Sequence, residues 1–481
     1  NCGMIKVDSN TGAVEYFCFD SNKSVVVHAS APISLHRQLD PETKIDFPTY
    51  YDPNSDQDMA NLFLKYFDDK YRVLNQNECL TFTTSKLWEE ADMSNMPANV
   101  LDLGCNKMQE LIWTARGYYK DKSQLADTVE VLEKYKNQFQ KVVNCRNYWQ
   151  VIKNRLHQKT VASKFAERLD MEPWWFPCKR EILVKGVIKN KSGWEVNTQT
   201  GELRKRTLES MWTFESPAAI RDDMLVRDAE GKLKTNERGN FLVNFKMGLY
   251  DAHVEFLKTN NHFEHPLKNV IAFMTNCIDT KGKHESLQRW FGACLTTHVI
   301  KQWVYMHGDT NTGKSWLLKL IKNVLGKADT AISKGVLFQM SEGNASGHTA
   351  HMMTLEKKRS VTFCESKGNY VVNDNIVKQI SGDDEFIGRD CYGKKERTFK
   401  PVCKITCASN YLPNCDTSDN ALASRNVIFK MNTTFVKRTY DKDGVLVPLK
   451  EHEKYEDPEM VRYLKETEAG MNEVFTWMVC G

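Results

Sequence analysis

The sequence predicts an α/β protein built around a central parallel sheet, and three observations carry that expectation. Residues Gly308, Asp309, Thr310, Asn311, Thr312, Gly313, Lys314 and Ser315 spell the GxxxxGK[ST] pattern of a phosphate-binding loop. Its setting suits it: residues 302–307 read as a strand, and Trp316, Leu317, Leu318, Leu320, Ile321, Val324 and Leu325 follow at helical spacing. Two more apolar strand patterns lie downstream, one running from Arg359 to Cys364 and ending at Glu365, the other running from Cys403 and ending at Asn410.

The loop pattern has a physical reason. Its glycines let backbone N–H groups close around a polyphosphate, and the following helix adds the partial positive charge of its N-terminus. Lys314 then bridges the β- and γ-phosphates and the Ser315 hydroxyl holds Mg²⁺, so ATP with Mg²⁺ is the expected ligand. Without that strand and helix, the same residues would be a glycine-rich turn.

Length and composition bound the rest. The 481 residues leave room for two to four domains, each with its own core. Lys and Arg number 66 against 62 for Asp and Glu, so any electrostatic footprint for nucleic acid must be local. The 14 cysteines sit in hydrophobic settings with no CxxC pair, which predicts an intracellular, reducing compartment. Cys403, Cys407 and Cys415 lack a suitably spaced fourth zinc ligand and read as thiols. No apolar run reaches bilayer length, so no membrane association is expected. The chain reads as a fragment of something longer.

Composition divides the chain at about 50, 250 and 440. Residues 1–50 alternate as short strands around Asn10 and Asp20 turns before a proline-punctuated linker, a small β-containing segment or the tail of an upstream domain. Residues 51–250 are expected to be mainly helical, with an apolar knot at Trp174-Trp175-Phe176-Pro177 and a hairpin around Thr200-Gly201. Lys179, Arg180, Lys185, Lys189, Lys191, Arg204, Lys205 and Arg206 cluster there, as a solvated face or as phosphate-backbone contacts. Residues 251–440 hold the nucleotide domain, and 441–481 a closing helical segment.

After the loop, a carboxylate at Glu365 can orient water or help hold Mg²⁺, and an amide at Asn410 can bond water and γ-phosphate together. Arg425 precedes the Val427–Phe429 strand and suits charge spreading over a transferring phosphoryl. The order of these parts, with Lys378–Asp383, Arg389, Tyr392-Gly393-Lys394, Phe399–Pro401 and Asn410–Pro413 between them, resembles the superfamily 3 helicases. The likeness is nearest to the primase-helicases of large DNA viruses, phages and plasmids. It departs from them in a single acid at Glu365, followed by Ser366, and in a lone Arg425, preceded by Ser424.

That resemblance implies an AAA+ domain in a homo-hexameric ring, with Lys314, Glu365, Asn410 and Arg425 catalytic and Ser315 and Glu365 on the metal. It implies a basic hairpin, Tyr392 with Lys394 and Lys395, pointing into the ring channel toward single-stranded or forked DNA. The activity implied is ATP-driven, 3′ to 5′ unwinding beside a primase or other replication proteins. The alternatives are a nucleotide-dependent DNA-binding ring acting as loader or scaffold, or a small-substrate P-loop kinase.

Overall fold

The computed structural model describes residues 3–7, 14–18, 23–26, 47–48, 51–184, 187–245, 264–278, 283–332, 334–339, 352–364, 371–389, 396–412 and 420–481. The chain packs as two compact units, Asn1–Asp68 with Asp92–Leu156, and Asp69–Ala91 with His157–Gly481. This packing division is distinct from the compositional boundaries at 50, 250 and 440.

The first unit holds an antiparallel meander of β1 (Gly3–Val7), β2 (Val14–Cys18) and β3 (Lys23–Val26). It also holds α1 (Asp56–Phe67), α2 (Met96–Tyr118), α3 (Lys122–Phe139) and most of α4 (Val142–Ala162). Ser55 caps α1 by accepting from the Asp58 N–H at 3.3 Å, with Asp56 and Asp58 in the first turn and Lys65 in the last. Helices α2 and α3 approach closely because Gly104 faces the Phe139 ring; a Cβ there would lie 2.6 Å from it.

The second unit begins with the antiparallel meander of β4 (Tyr71–Asn75), β5 (Glu78–Phe82) and β6 (Trp88–Ala91). A five-stranded sheet follows, in the order β10-β7-β8-β9-β11, from β7 (Trp175–Val184), β8 (Val187–Asn197), β9 (Glu202–Lys205), β10 (Ala219–Ile220) and β11 (Phe241–Leu242). In the stretch from 51 to 250, expected to be mainly helical, helix fills 56–67 and most of 96–162, and β4 to β11 occupy part of the remainder. Most of these strands pair with their chain neighbours, and only β10 with β7 and β11 with β9 join segments further apart. Trp175 and Phe176 of the apolar knot open β7, and Phe176 is fully buried in the main core.

The central sheet matches the predicted class. All pairings are parallel, in the order β13-β15-β19-β12-β20, from β12 (Trp303–His307), β13 (Asp329–Ala331), β15 (Ser360–Cys364), β19 (Lys404–Ser409) and β20 (Asn426–Lys430). Side chains alternate between two cores: Val304, Met306 and Ala408 on one face, Trp303, Tyr305, Ile405 and Cys407 on the other. Both faces are covered, so the strands read as continuous apolar runs. Short antiparallel pairs flank it, β14 (Phe338–Gln339) with β16 (Val371–Val372) and β17 (Phe386–Gly388) with β18 (Arg397–Phe399).

The first of those cores also takes in the β7–β8 sheet, the helices Lys268–Cys277, Lys283–Ala293 and Lys314–Leu325, and the C-terminal helix Glu468–Val479. That last helix is buried nearly all round. Its Glu473 carboxylate accepts the Asn269 and Val270 N–H groups at 2.6 and 2.9 Å, capping the helix Lys268–Cys277. Arg359, fully buried just before β15, donates to the carbonyls of Glu172 (2.9 Å), Trp175 (3.1 Å) and Leu295, between the rings of Phe176 and Trp212.

Lys404 opens β19 with its ammonium inside the protein, donating to the carbonyls of Thr296 and Val402. Burial lowers its pKa to about 7. The unfolded chain keeps that proton to about pH 10.4, so it binds more protons than the folded chain above pH 7. Stability is therefore expected to rise with pH from about 7 toward 10, by up to ~1.4 kcal/mol per pH unit from this group. Urea unfolding of Lys404→Met should lack that component of the slope; equal slopes in variant and parent would contradict it.

Candidate nucleotide site

The phosphate-loop residues sit at the carboxyl end of β12. Chain reversal at Gly308 brings the backbone against the end of β20: Met431 N–H donates to the His307 carbonyl at 2.8 Å, and a Cβ on Gly308 would lie 2.4 Å from the Met431 carbonyl oxygen. Asn311 and Gly313 have φ of 60° and 85°, the left-handed turns that curl the loop. Lys314 is 6% exposed and donates to Gly308 O at 2.7 Å, Asp309 O at 2.6 Å and Thr312 Oγ1 at 2.9 Å. Burial lowers its pKa, against the pull of Asp309. Ser315 is exposed in the first turn of the helix Lys314–Leu325. A loop curled at a helix N-terminus with a buried ammonium is chemically suited to a polyphosphate.

Strand register decides what stands beside the loop. His307 pairs with Ser409, so Asn410 emerges at the same edge, and its Nδ2 donates to Thr310 Oγ1 at 3.2 Å. Cys364 pairs with Ala408, so β15 ends at that edge too. Glu365, the next residue, lies outside the described residues, as do Tyr392, Lys394 and Lys395 of the basic hairpin and Cys415. Arg389, at the foot of that hairpin, is exposed.

Arg425 is not at this edge. Trp303 pairs with Asn426 and His307 with Lys430, which puts Arg425 just before the amino end of β20, about 17 Å along the strand from the loop end. It ends the helix Asn420–Arg425 and donates to the Ala421 carbonyl at 2.8 Å.

The basic cluster between 179 and 206 separates into two kinds of residue. Arg180 lies over the Phe241 ring at 4.0 Å and pairs with Asp222. Arg204 stacks on Trp175 at 3.8 Å and pairs with Glu195 at 2.7 Å, and Arg206 is buried against Glu215. Those arginines build the sheet. Lys189, Lys191 and Lys205 are exposed, and Lys185 lies outside the described residues.

One feature escaped the sequence. A cleft of about 1240 Å³ opens beside Asn311, Gly313 and Trp316, with Phe273, Phe435 and Tyr455 among its walls. It is built by the helix Lys268–Cys277, the parallel pair β21 (Thr434–Val436) and β22 (Glu453–Tyr455), and the helix Pro458–Glu466. Phe435 N–H donates to the Asn311 carbonyl at 2.8 Å, fastening β21 to the loop. Aromatic residues spread over nearly two hundred positions gave no local signal of a shared wall.

A model of a family of unknown function, DUF5906, matches residues 306–425. The 022R protein of Frog virus 3, whose name marks it a candidate helicase, is 25% identical over 181 residues, 37% of this chain and 18% of that protein. The uncoating factor OPG117 of Vaccinia virus is 26% identical over 176 residues, 35% of this chain and 22% of its own length. The primase D5 of Fowlpox virus is 25% identical over 158 residues, 31% and 19%. The matched stretches thus span about a fifth of these relatives. The C-terminal region of NrS-1 overlays at a TM-score of 0.31 and 12% identity over 61% of this chain and 65% of that one, too loose a fit to bear on the arrangement. Among the described residues no helix is long and apolar enough to cross a membrane. Over about a third of its length the chain is thus similar to a protein named as a candidate helicase in Frog virus 3 and to one named a primase in Fowlpox virus.

Proposed function

We propose that the chain is the ATPase module of a replicative DNA helicase of AAA+ type, working as a homo-hexameric ring on single-stranded and forked DNA. The observation that carries this reading is the position of Arg425 at the edge of the sheet opposite its own loop. An arginine side chain spans about half that strand length, so it serves phosphate chemistry only in the loop of a neighbouring copy.

Within one pocket, Lys314 and the loop N–H groups bind the triphosphate, and Asn410, already hydrogen-bonded to Thr310, is poised to orient water at the γ-phosphate. Ser315 and Glu365 would hold Mg²⁺, which offsets the charge of the phosphate oxygens; the exposed Ser315 hydroxyl beside the loop fits that task. Trp316, Phe435 and Tyr455 give the cleft aromatic faces for a base. Tyr392, Lys394 and Lys395 would meet DNA in the channel, with backbone phosphates on the lysines and a base on the ring. Movement is 3′ to 5′ in this reading, with a primase or other replication proteins as partners.

Lys314→Ala and Arg425→Ala should each cut ATP turnover about a thousandfold or more while circular dichroism stays unchanged. An Arg425→Ala protein with undiminished DNA-stimulated turnover would remove the role across the seam.

Lys394→Ala combined with Lys395→Ala should keep basal ATP turnover and lose strand displacement on a tailed duplex. Equal displacement by the double variant would return the hairpin to an ordinary solvated turn.

A further inference from the structure

Strands β7 and β8 outrun their sheet. β10 pairs with β7 only at Lys179 and Arg180, and β9 meets β8 only from Trp194 to Val196. Beyond that point Glu181–Val184 and Val187–Asn190 continue as a two-stranded ribbon with Glu181 opposite Asn190, Ile182 opposite Lys189, Leu183 opposite Ile188 and Val184 opposite Val187. Two-stranded ribbons are marginal alone in water, and this one carries aliphatic side chains on its last two described pairs. Leu183 is 64% exposed, Val184 41%, Val187 57% and Ile188 38%.

Cross-strand pairs share a face and successive pairs alternate, so Leu183 and Ile188 lie on one face and Val184 and Val187 on the other. An apolar end on both faces suits insertion between two layers better than docking on one surface. Lys189 and Lys191 are exposed and share the face of Val184 and Val187, and the sequence from Ile182 to Gly193 contains no acidic residue. The foot is fixed. Asn472 of the buried C-terminal helix donates to Glu181 Oε2 at 2.8 Å and Asn190 Oδ1 at 2.9 Å, and accepts from the Ala219 N–H at 2.8 Å.

We infer that this ribbon is a strand-separating wedge: its aliphatic end enters the junction of a forked duplex while Lys189 and Lys191 hold backbone phosphates of one strand. Aliphatic side chains unstack base steps when pressed between them, and lysines add salt-dependent affinity. A rigid foot is what such a wedge needs, because a floppy ribbon would fold back rather than pry a base pair open. The inference rests on the reading of the chain as a DNA motor, but its test does not require the motor to run.

A forked duplex with 2-aminopurine at the first paired position is mixed with the whole chain and a non-hydrolysable ATP analogue, and the probe should brighten as that pair opens. Leu183→Ser with Ile188→Ser, both exposed positions, should keep single-strand affinity and ATP turnover and lose the brightening. Lys189→Ala with Lys191→Ala should weaken fork binding about tenfold at low salt and flatten the slope of log K against log salt by about 1.8. Brightening by the serine variant equal to the parent's, or a dark probe with the parent chain, overturns the wedge. So does a serine variant whose loss is instead of binding to anionic phospholipid vesicles or of self-association. A parent chain that opens the junction through this ribbon yet never displaces a strand with ATP refutes the motor and leaves the wedge standing.

Discussion

Every pairing in the central sheet is parallel, and that one constraint decides which residues can meet. Parallel strands deliver all their carboxyl ends to one edge, where loops converge on a crevice. The phosphate loop after His307, Asn410 after Ser409 and the end of β15 at Cys364 gather there. The same constraint banishes Arg425, which precedes its strand, to the far edge. In the proposed reading, a pocket with its arginine on the far side of its own sheet is half of a site that two copies complete.

The amino edge is built on a different principle. Asp329, Ser360 and Lys404 begin neighbouring strands there, and Arg359 sits one residue before Ser360. Burial raises the Asp329 carboxyl to about 6 and lowers Lys404 to about 7. Charges this deep are costly unless their hydrogen bonds are met. Arg359 meets several of them with backbone carbonyls, and so joins the sheet to the segment leading into β7. The amino edge of the sheet is therefore tied by a buried guanidinium to the segment that precedes and opens β7. Asn472 and Glu473 extend this bracing through the C-terminal helix, one reaching the β7–β8 ribbon and the other capping the helix Lys268–Cys277.

Much of the central sheet was legible because its signals are local. The loop pattern fixes glycines over eight residues, and β12 and β19 are buried on both faces, so they appear as unbroken apolar runs. The helix after the loop announced itself by Leu317, Leu320, Ile321 and Val324 on one side. Long-range construction was not legible. Nothing near Phe435 says that it shares a cleft with Trp316. The basic run from 179 to 206 misleads for a similar reason: charge is visible in a sequence, but the Trp175, Glu195 and Glu215 partners that absorb Arg204 and Arg206 are set by the fold.

The claim at the centre is that each pocket takes its lysine from one copy and its arginine from the next. Mixing Lys314→Ala and Arg425→Ala chains, each inactive alone, tests it with turnover as the readout. Random rings place an intact lysine against an intact arginine at about one seam in four, so the mixture should regain ATP hydrolysis toward that fraction of the parent rate. A mixture as inactive as its two components, with mixed rings verified by differential tags, would contradict a site shared between neighbours.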